Sequence, residues 1–218
     1  EYLDPSNAIA VWLGPGHVQE FVKGNPNCMV IDSAEPAVKK ELAAALSGKL
    51  IRMYYGDDLI GNEVGAAAKN VIGIAAGMLD GIGGDSMKGA LMARGAREVS
   101  RLIKAMGGNE MTAYGLCHLG DYEATLFSPH SHNRSFGEAF ARAQAQGSGT
   151  ELDMLRKGRH NIGLAEGVNT AQAIMLLSCE YNVDMPICSG VYSVIFHGVE
   201  VGEALEGMLL RNLKTEFY

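Results

Sequence analysis

The sequence predicts a short α/β segment followed by a mostly α-helical domain. Residues 1–56 alternate brief apolar runs with one amphipathic stretch, the pattern of strands around a helix. The composition shifts at Asp57–Asp58, and beyond it the apolar residues recur at helical spacing with no convincing strand. The chain has 218 residues, 47% hydrophobic and 20% charged, enough for one large core or two small ones. The expected division is therefore 1–56 and 57–218.

Each element has its own signal. "NAIAVWLGP" (7–15) reads as a buried strand ending in a Gly-Pro turn, and "NCMVIDS" (27–33) as a second strand. "EPAVKKELAAALSG" is an amphipathic helix with Pro36 in its first turn and Gly48 past its end. "KLIRMYYG" (49–56) is a third strand. Asp58 is placed to cap a helix over 59–79, and "SMKGALMARGAREVSRLIKAMG" (86–107) is another helix, stopped by Gly107-Gly108. Helices follow over 137–147, 151–158, 167–182, 186–198 and 201–212, with 182–186 as a connector.

A net charge of −7 and an isoelectric point near 5.4 argue against a general nucleic-acid binder but leave room for a local anion pocket. Cys28, Cys117, Cys179 and Cys188 form no CxxC pair or disulfide framework and read as reduced thiols of a cytoplasmic protein. There is no secretory signal, and the longest apolar run, from Val71 to Asp80, is too short to span a bilayer. "LGPGH" (13–17) and "GIGGD" (81–85) lack the spacing of a nucleotide-phosphate loop and read as turns.

Two stretches carry chemistry. In "GNEVGAAAKNVIGIAAGMLDGIGGD" (61–85), Lys69 has Gly65 and Gly73 four places to either side. Glycine costs about 1 kcal/mol per helical position, so their number implies that a backbone or a ligand comes close. On that face Lys69 is desolvated and serves as a general base; otherwise it snorkels to water, and the stretch alone fits both. The second, "GLCHLGDYEATLFSPHSHNRSFG" (115–137), mixes Asp121, Thr125, Ser131, His132, Asn133 and Arg134 with turn residues. Asp121 can hold the Lys69 ammonium or cap a helix. Ser131, Asn133 and Arg134 are donors suited to phosphate, or else belong to a solvated loop.

With "LMARGAREVSRL", "GLAEGVNTAQAI" and "VDMPICSGVYSVIFHG", these stretches resemble the bacterial NAD(P)-dependent glycerol-3-phosphate dehydrogenases from "LGPGHVQE" to the C-terminus. The family pattern runs SGPxxAxE, ExxGAxKNxxAIAxG, GLxGxGDLxxT, SRNRxFG and VEGxxT. The resemblance implies hydride transfer between a nicotinamide dinucleotide, NAD or NADP, and dihydroxyacetone phosphate or sn-glycerol 3-phosphate, in phospholipid precursor synthesis. It implies that residues 1–56 close a Rossmann-type sheet and that 57–218 form an all-α domain like the C-terminal domain of 6-phosphogluconate dehydrogenase. The Met- and Ala-rich helices suit a homodimer.

The resemblance makes Lys69 the proton-transfer residue, with Asp121 and Thr125 as catalytic partners. It gives substrate contacts to Gly14, Gly16, Asn70, Ser131, His132 and Asn133, and cofactor contacts to Val18, His132, Leu164 and Glu166. Two departures stand out. His132 replaces the arginine of SRN, implying a weaker, pH-sensitive phosphate grip or a somewhat different substrate, unless Arg134 compensates. The chain begins without methionine and without the GxGxxG strand-turn-helix, about a hundred residues in the family, so the expectation is a fragment, inactive alone. Two rivals are a zinc site from Cys117, His118, His130 and His132, which matches no common zinc spacing, and a non-catalytic dimerisation module.

Overall fold

The computed structural model describes residues 4, 7–16, 18–159 and 161–216. A three-stranded sheet is formed by β1 (Ala10–Leu13), β2 (Asn27–Ser33) and β3 (Ile51–Tyr55), in that order. β1 runs antiparallel to β2, with Ala10 opposite Ser33 and Leu13 opposite Val30. β3 runs parallel to β2, with Asn27 opposite Ile51 and Ile31 opposite Tyr55. The parallel pair needs a crossover, supplied by α2 (Pro36–Leu46), whose φ-locked Pro36 opens the helix. A short helix, α1 (Val18–Val22), follows β1; nothing in the apolar pattern announces its five residues. Ile31, Ala43 and Met53 make a small core between sheet and α2.

Helices dominate the rest, as the sequence predicts. They are α3 (Leu59–Gly81), α4 (Lys88–Ala105), α5 (His132–Ala145), α6 (Gly149–Arg156), α7 (Gly167–Glu180), α8 (Pro186–His197) and α9 (Val201–Leu209). Asp58 caps α3 as expected, its carboxylate accepting the Gly61 N–H at 3.1 Å. The same side chain accepts the Asn109 N–H and the Thr112 hydroxyl, at 2.9 and 2.6 Å, and so ties α3 to the turn after α4. α5 begins five residues before the sequence suggests. Ser131 is its N-cap, accepting the Arg134 N–H at 3.3 Å, so 132–134 form a first helical turn rather than a loop.

One buried carboxylate joins sheet to bundle. Asp32, at the end of β2, accepts from Lys39 Nζ at 3.1 Å, from the Asp58 N–H at 3.1 Å and from Asn62 Nδ2 at 2.8 Å. α2, the β3–α3 link and α3 therefore meet on a single side chain.

α3 is the axis of the bundle. Val71, Ile72 and Ile74 are fully buried with Leu102, Tyr122, Phe136, Phe140 and Ile195 around them. Its second face is a ridge of residues four apart: Gly65, Lys69, Gly73, Gly77 and Gly81. There α5 comes to backbone contact. A Cβ on Gly77 would lie 1.9 Å from the Arg134 carbonyl oxygen, and one on Gly137 would lie 2.1 Å from that of Ile74. All four cysteines are free. Among the described residues no helix is long and apolar enough to cross a membrane.

Glu98 of α4 is buried against the start of α8 and accepts the N–H groups of Ile187 and Cys188, each at 2.9 Å. Burial pushes its carboxyl up to about 7, against the pull of those two N–H groups.

Two predictions follow from this packing. Gly77→Ala forces backbone apart and costs about 1–3 kcal/mol in urea unfolding, whereas Gly89→Ala, near the start of α4 with nothing within 4 Å, is neutral or stabilises by about 0.5–1 kcal/mol. The Glu98 proton is held more tightly in the folded chain than in the unfolded one, where the value is 4.5, so its stabilising contribution is full below pH 4.5 and lost as pH rises through 7. Glu98→Gln lacks that loss, and its unfolding free energy gains about 3 kcal/mol on the parent's across this window.

Candidate active site

Lys69 stands in the glycine ridge, next to the Asn70 that the first turn of α5 holds. Its ammonium contacts the Asp121 carboxylate. The side chains are 22% and 4% exposed respectively, so the pair is largely shielded from bulk water. Desolvation and a charge partner, the two features that the glycine spacing and the acidic loop suggest, are both present.

Asp121 is carried by a tight turn, 119–121, in which its N–H donates to the His118 carbonyl at 3.1 Å. His118 itself is fully buried. Its Nδ1–H donates to the Gly65 carbonyl at 2.8 Å, and its Nε2 accepts the Tyr122 hydroxyl at 2.7 Å. Burial first, and the nearby Lys69 charge after it, push this imidazole down to about 4, against the Gly65 hydrogen bond. The ring is therefore neutral near pH 7, with its proton on Nδ1.

Thr125 lies on a π-helical turn, Glu123–Phe127, and is buried. Its methyl faces Gly73, where an added Cβ would come within 2.8 Å. π turns are rare, and they concentrate where a side chain must be re-aimed. Asn133, in the first turn of α5, donates from Nδ2 to Asn70 Oδ1 at 3.1 Å and accepts the Gly167 N–H at 2.9 Å. One amide thus pins α3, α5 and α7 together. Lys69, Asn70, Asp121, Thr125 and Asn133 accordingly gather around one stretch of α3, with the N-terminus of α5 and its cap Ser131 beside them.

The remaining sequence-derived residues fall into two further places. The His132 ring is exposed and lies against the loop before α7, where a Cβ on Gly163 would come within 2.7 Å of it. Leu164 and Glu166 are on that loop, both exposed. Gly14 and Gly16, at φ +122° and +142°, form the turn after β1, and exposed Val18 opens α1. His17, between them, lies outside the described residues.

Arg134 does not reach for an anion. Its Nη1 pairs with Asp80 at 2.5 Å and Glu138 at 3.1 Å, and its Nε donates to the Ser128 carbonyl at 3.2 Å. It lies on the α5 face that abuts the C-terminal half of α3, so it does not stand in for the arginine that His132 replaces. The zinc alternative finds no support: His118 has both ring nitrogens engaged, and among the described residues no three His, Cys, Asp or Glu side chains are gathered to hold a metal. The sequence weighs His118 only as a metal ligand and does not single out Tyr122; their separation of four is informative only once the turn is helical.

Residues 58–206 match the family described as NAD-dependent glycerol-3-phosphate dehydrogenase C-terminus. The chain belongs to that family. It is 38% identical over 213 residues to the glycerol-3-phosphate dehydrogenase [NAD(P)+] of Pelodictyon phaeoclathratiforme, covering 97% of this chain and 61% of that one. It is 38% identical to the Clostridium botulinum (strain Alaska E43) enzyme of the same name, covering 98% and 62%. The chain thus spans about three fifths of the length of these curated relatives. Among solved structures, glycerol-3-phosphate dehydrogenase from Coxiella burnetii superposes with a TM-score of 0.80 at 29% identity, over 94% of this chain and 61% of that one. The Plasmodium falciparum glycerol-3-phosphate dehydrogenase shares the fold, with a TM-score of 0.81 at 15% identity, over 96% and 59%.

Asn133→Ala removes the acceptor of a buried N–H and the pin between three helices. It costs about 1–3 kcal/mol in chemical denaturation, more than Asn133→Asp, which keeps an oxygen for Gly167.

Proposed function

We propose that this chain is the substrate-holding and proton-transferring part of an NAD(P)-dependent glycerol-3-phosphate dehydrogenase that interconverts dihydroxyacetone phosphate and sn-glycerol 3-phosphate. The observation that carries the proposal is the part-buried Lys69–Asp121 pair, next along α3 to the Asn70 that Asn133 of the first turn of α5 holds. Its division follows the fold: 1–56 as the closing part of a dinucleotide-binding sheet, 57–218 as the catalytic domain.

The dinucleotide, NAD or NADP, supplies or accepts the hydride at C2 of the substrate. Exposed Leu164 and Glu166 beside His132, and in a second place Gly14, Gly16 and Val18 after β1, suit contacts with such a group. In the reductive direction the C2 carbonyl gains a hydride, its π electrons move to oxygen, and the Lys69 ammonium gives that oxygen a proton. The products are a hydroxyl and a neutral amine. In oxidation the amine takes the hydroxyl proton back. Asp121 holds the ammonium in place and Thr125 lines the reacting carbon. The substrate phosphate rests against the first turn of α5, where Ser131, His132 and the free helical N–H groups meet the positive end of the helix dipole. Asn70 and Asn133 keep that turn against α3. The protein works in the cytoplasm, where its four free thiols remain reduced, and two copies pair through exposed apolar residues such as Leu176 and Leu209.

Lys69→Ala tests the assignment. The assay follows reduction of dihydroxyacetone phosphate with NADH and with NADPH, on the 218-residue chain and on the complete translated product of its gene. Loss of a proton donor lowers kcat by about a hundredfold to ten-thousandfold with a smaller change in KM. Turnover equal to the parent's overturns the assignment and leaves the dimerisation module as the better account.

A further inference from the structure

We infer that the buried His118–Tyr122 pair is a positioning device for Lys69, a role that rests on the function proposed above. The argument begins with the Gly65 carbonyl. In an α-helix that oxygen already accepts the N–H of the residue four places on, which is Lys69. His118 Nδ1–H reaches the same oxygen at 2.8 Å from outside the helix. One carbonyl is therefore shared by the turn that carries the ammonium and the segment that carries its counter-ion. On the other side, the His118 carbonyl accepts the Asp121 N–H at 3.1 Å. His118 thus touches the backbone immediately behind both members of the ion pair.

The Gly65 carbonyl can only accept, so the single proton of the neutral ring sits on Nδ1 and points at Gly65. Nε2 then accepts the Tyr122 hydroxyl at 2.7 Å, and this second bond holds the ring in that orientation. The rings meet edge to face at 4.8 Å. Neither residue is exposed, so water does not compete for these contacts. Close fit reinforces the arrangement: a Cβ on Gly65 would lie 3.1 Å from Cys117 Sγ and 3.2 Å from the His118 Cβ. In the motif GLxGxGDLxxT these two places hold glycine and leucine, so the pair is a feature of this chain rather than of the pattern.

Three variants separate this role from mere filling of space. H118N keeps an N–H at the Nδ1 position; H118Q moves it to the Nε2 position; Y122F removes one oxygen and keeps the ring. The first readout needs no turnover: the chain labelled with [13Cε]lysine is observed by NMR, with urea unfolding recorded alongside. The Lys69 resonance shifts in H118Q and Y122F and holds the parent's place in H118N. The second readout is kinetic, on the active protein: kcat falls about tenfold in H118Q and Y122F with KM within twofold, and H118N retains most of it. A Lys69 resonance and a kcat that do not move in Y122F, the mildest of the three and the deciding variant if H118Q fails to fold, overturn the inference. If Lys69→Ala leaves turnover intact, the functional assignment falls while the Lys69 resonance still reports on positioning.

Discussion

The approach of α5 to α3 is the constraint on which the rest depends. A helix pair normally keeps 8–10 Å between axes because side chains stand between them. At Gly77 and Gly81 the backbone of α3 meets the backbone of α5, while Gly73 seats Thr125 and Gly65 seats Cys117 and His118. Lys69 is the one long side chain in that row, beside the Asn70 that the first turn of α5 holds. The glycines cost helix propensity, offset by the packing of Phe136 and Phe140 onto the α3 core. Burial of the ammonium, the seating of Thr125 against Gly73 and the reach of Asn133 to Asn70 all require that short distance.

Much of this was legible in the residues. The apolar runs located all three strands, β2 to the residue, because strands in a small sheet are short and bounded by Gly, Pro and Asn. Asp58 as the cap of α3 and the stops at glycine were readable for the same local reasons. The pairing of Lys69 with Asp121 was one of two readings that the residues left open, the other being Asp121 as a helix cap, and the geometry selects it. What was not legible is non-local. "SPHSHNRSFG" looks like a loop because proline, serines and histidines are turn formers, yet Ser131 uses its hydroxyl to start a helix there. Arg134 looked like an anion donor until the fold placed Asp80 opposite it. The π turn at Glu123–Phe127 has no compositional mark.

Two neighbourhoods in the helical part differ in their electrostatics. Near the C-terminal end of α3, Asp80 gathers Lys88 and Arg134, and Glu138 adds a second carboxylate. These charges cancel among themselves and clamp the π turn through the Leu126 and Ser128 carbonyls, at 3.4 and 3.2 Å. Around Lys69 the balance is different: one ammonium, one carboxylate and a histidine kept neutral by burial. The first neighbourhood ties the end of α3 to the start of α5, and the second leaves a part-buried ion pair beside a neutral ring.

The Asp32 junction has a consequence for how the two halves move. One carboxylate collects groups from α2, from the β3–α3 link and from α3 itself, so a load on the sheet reaches the first turn of α3 largely through this side chain. A tilt of the sheet would therefore be felt first at Asp58 and Asn62, about two to three turns before Lys69, as strain on a hinge pin is felt first where the leaf meets it.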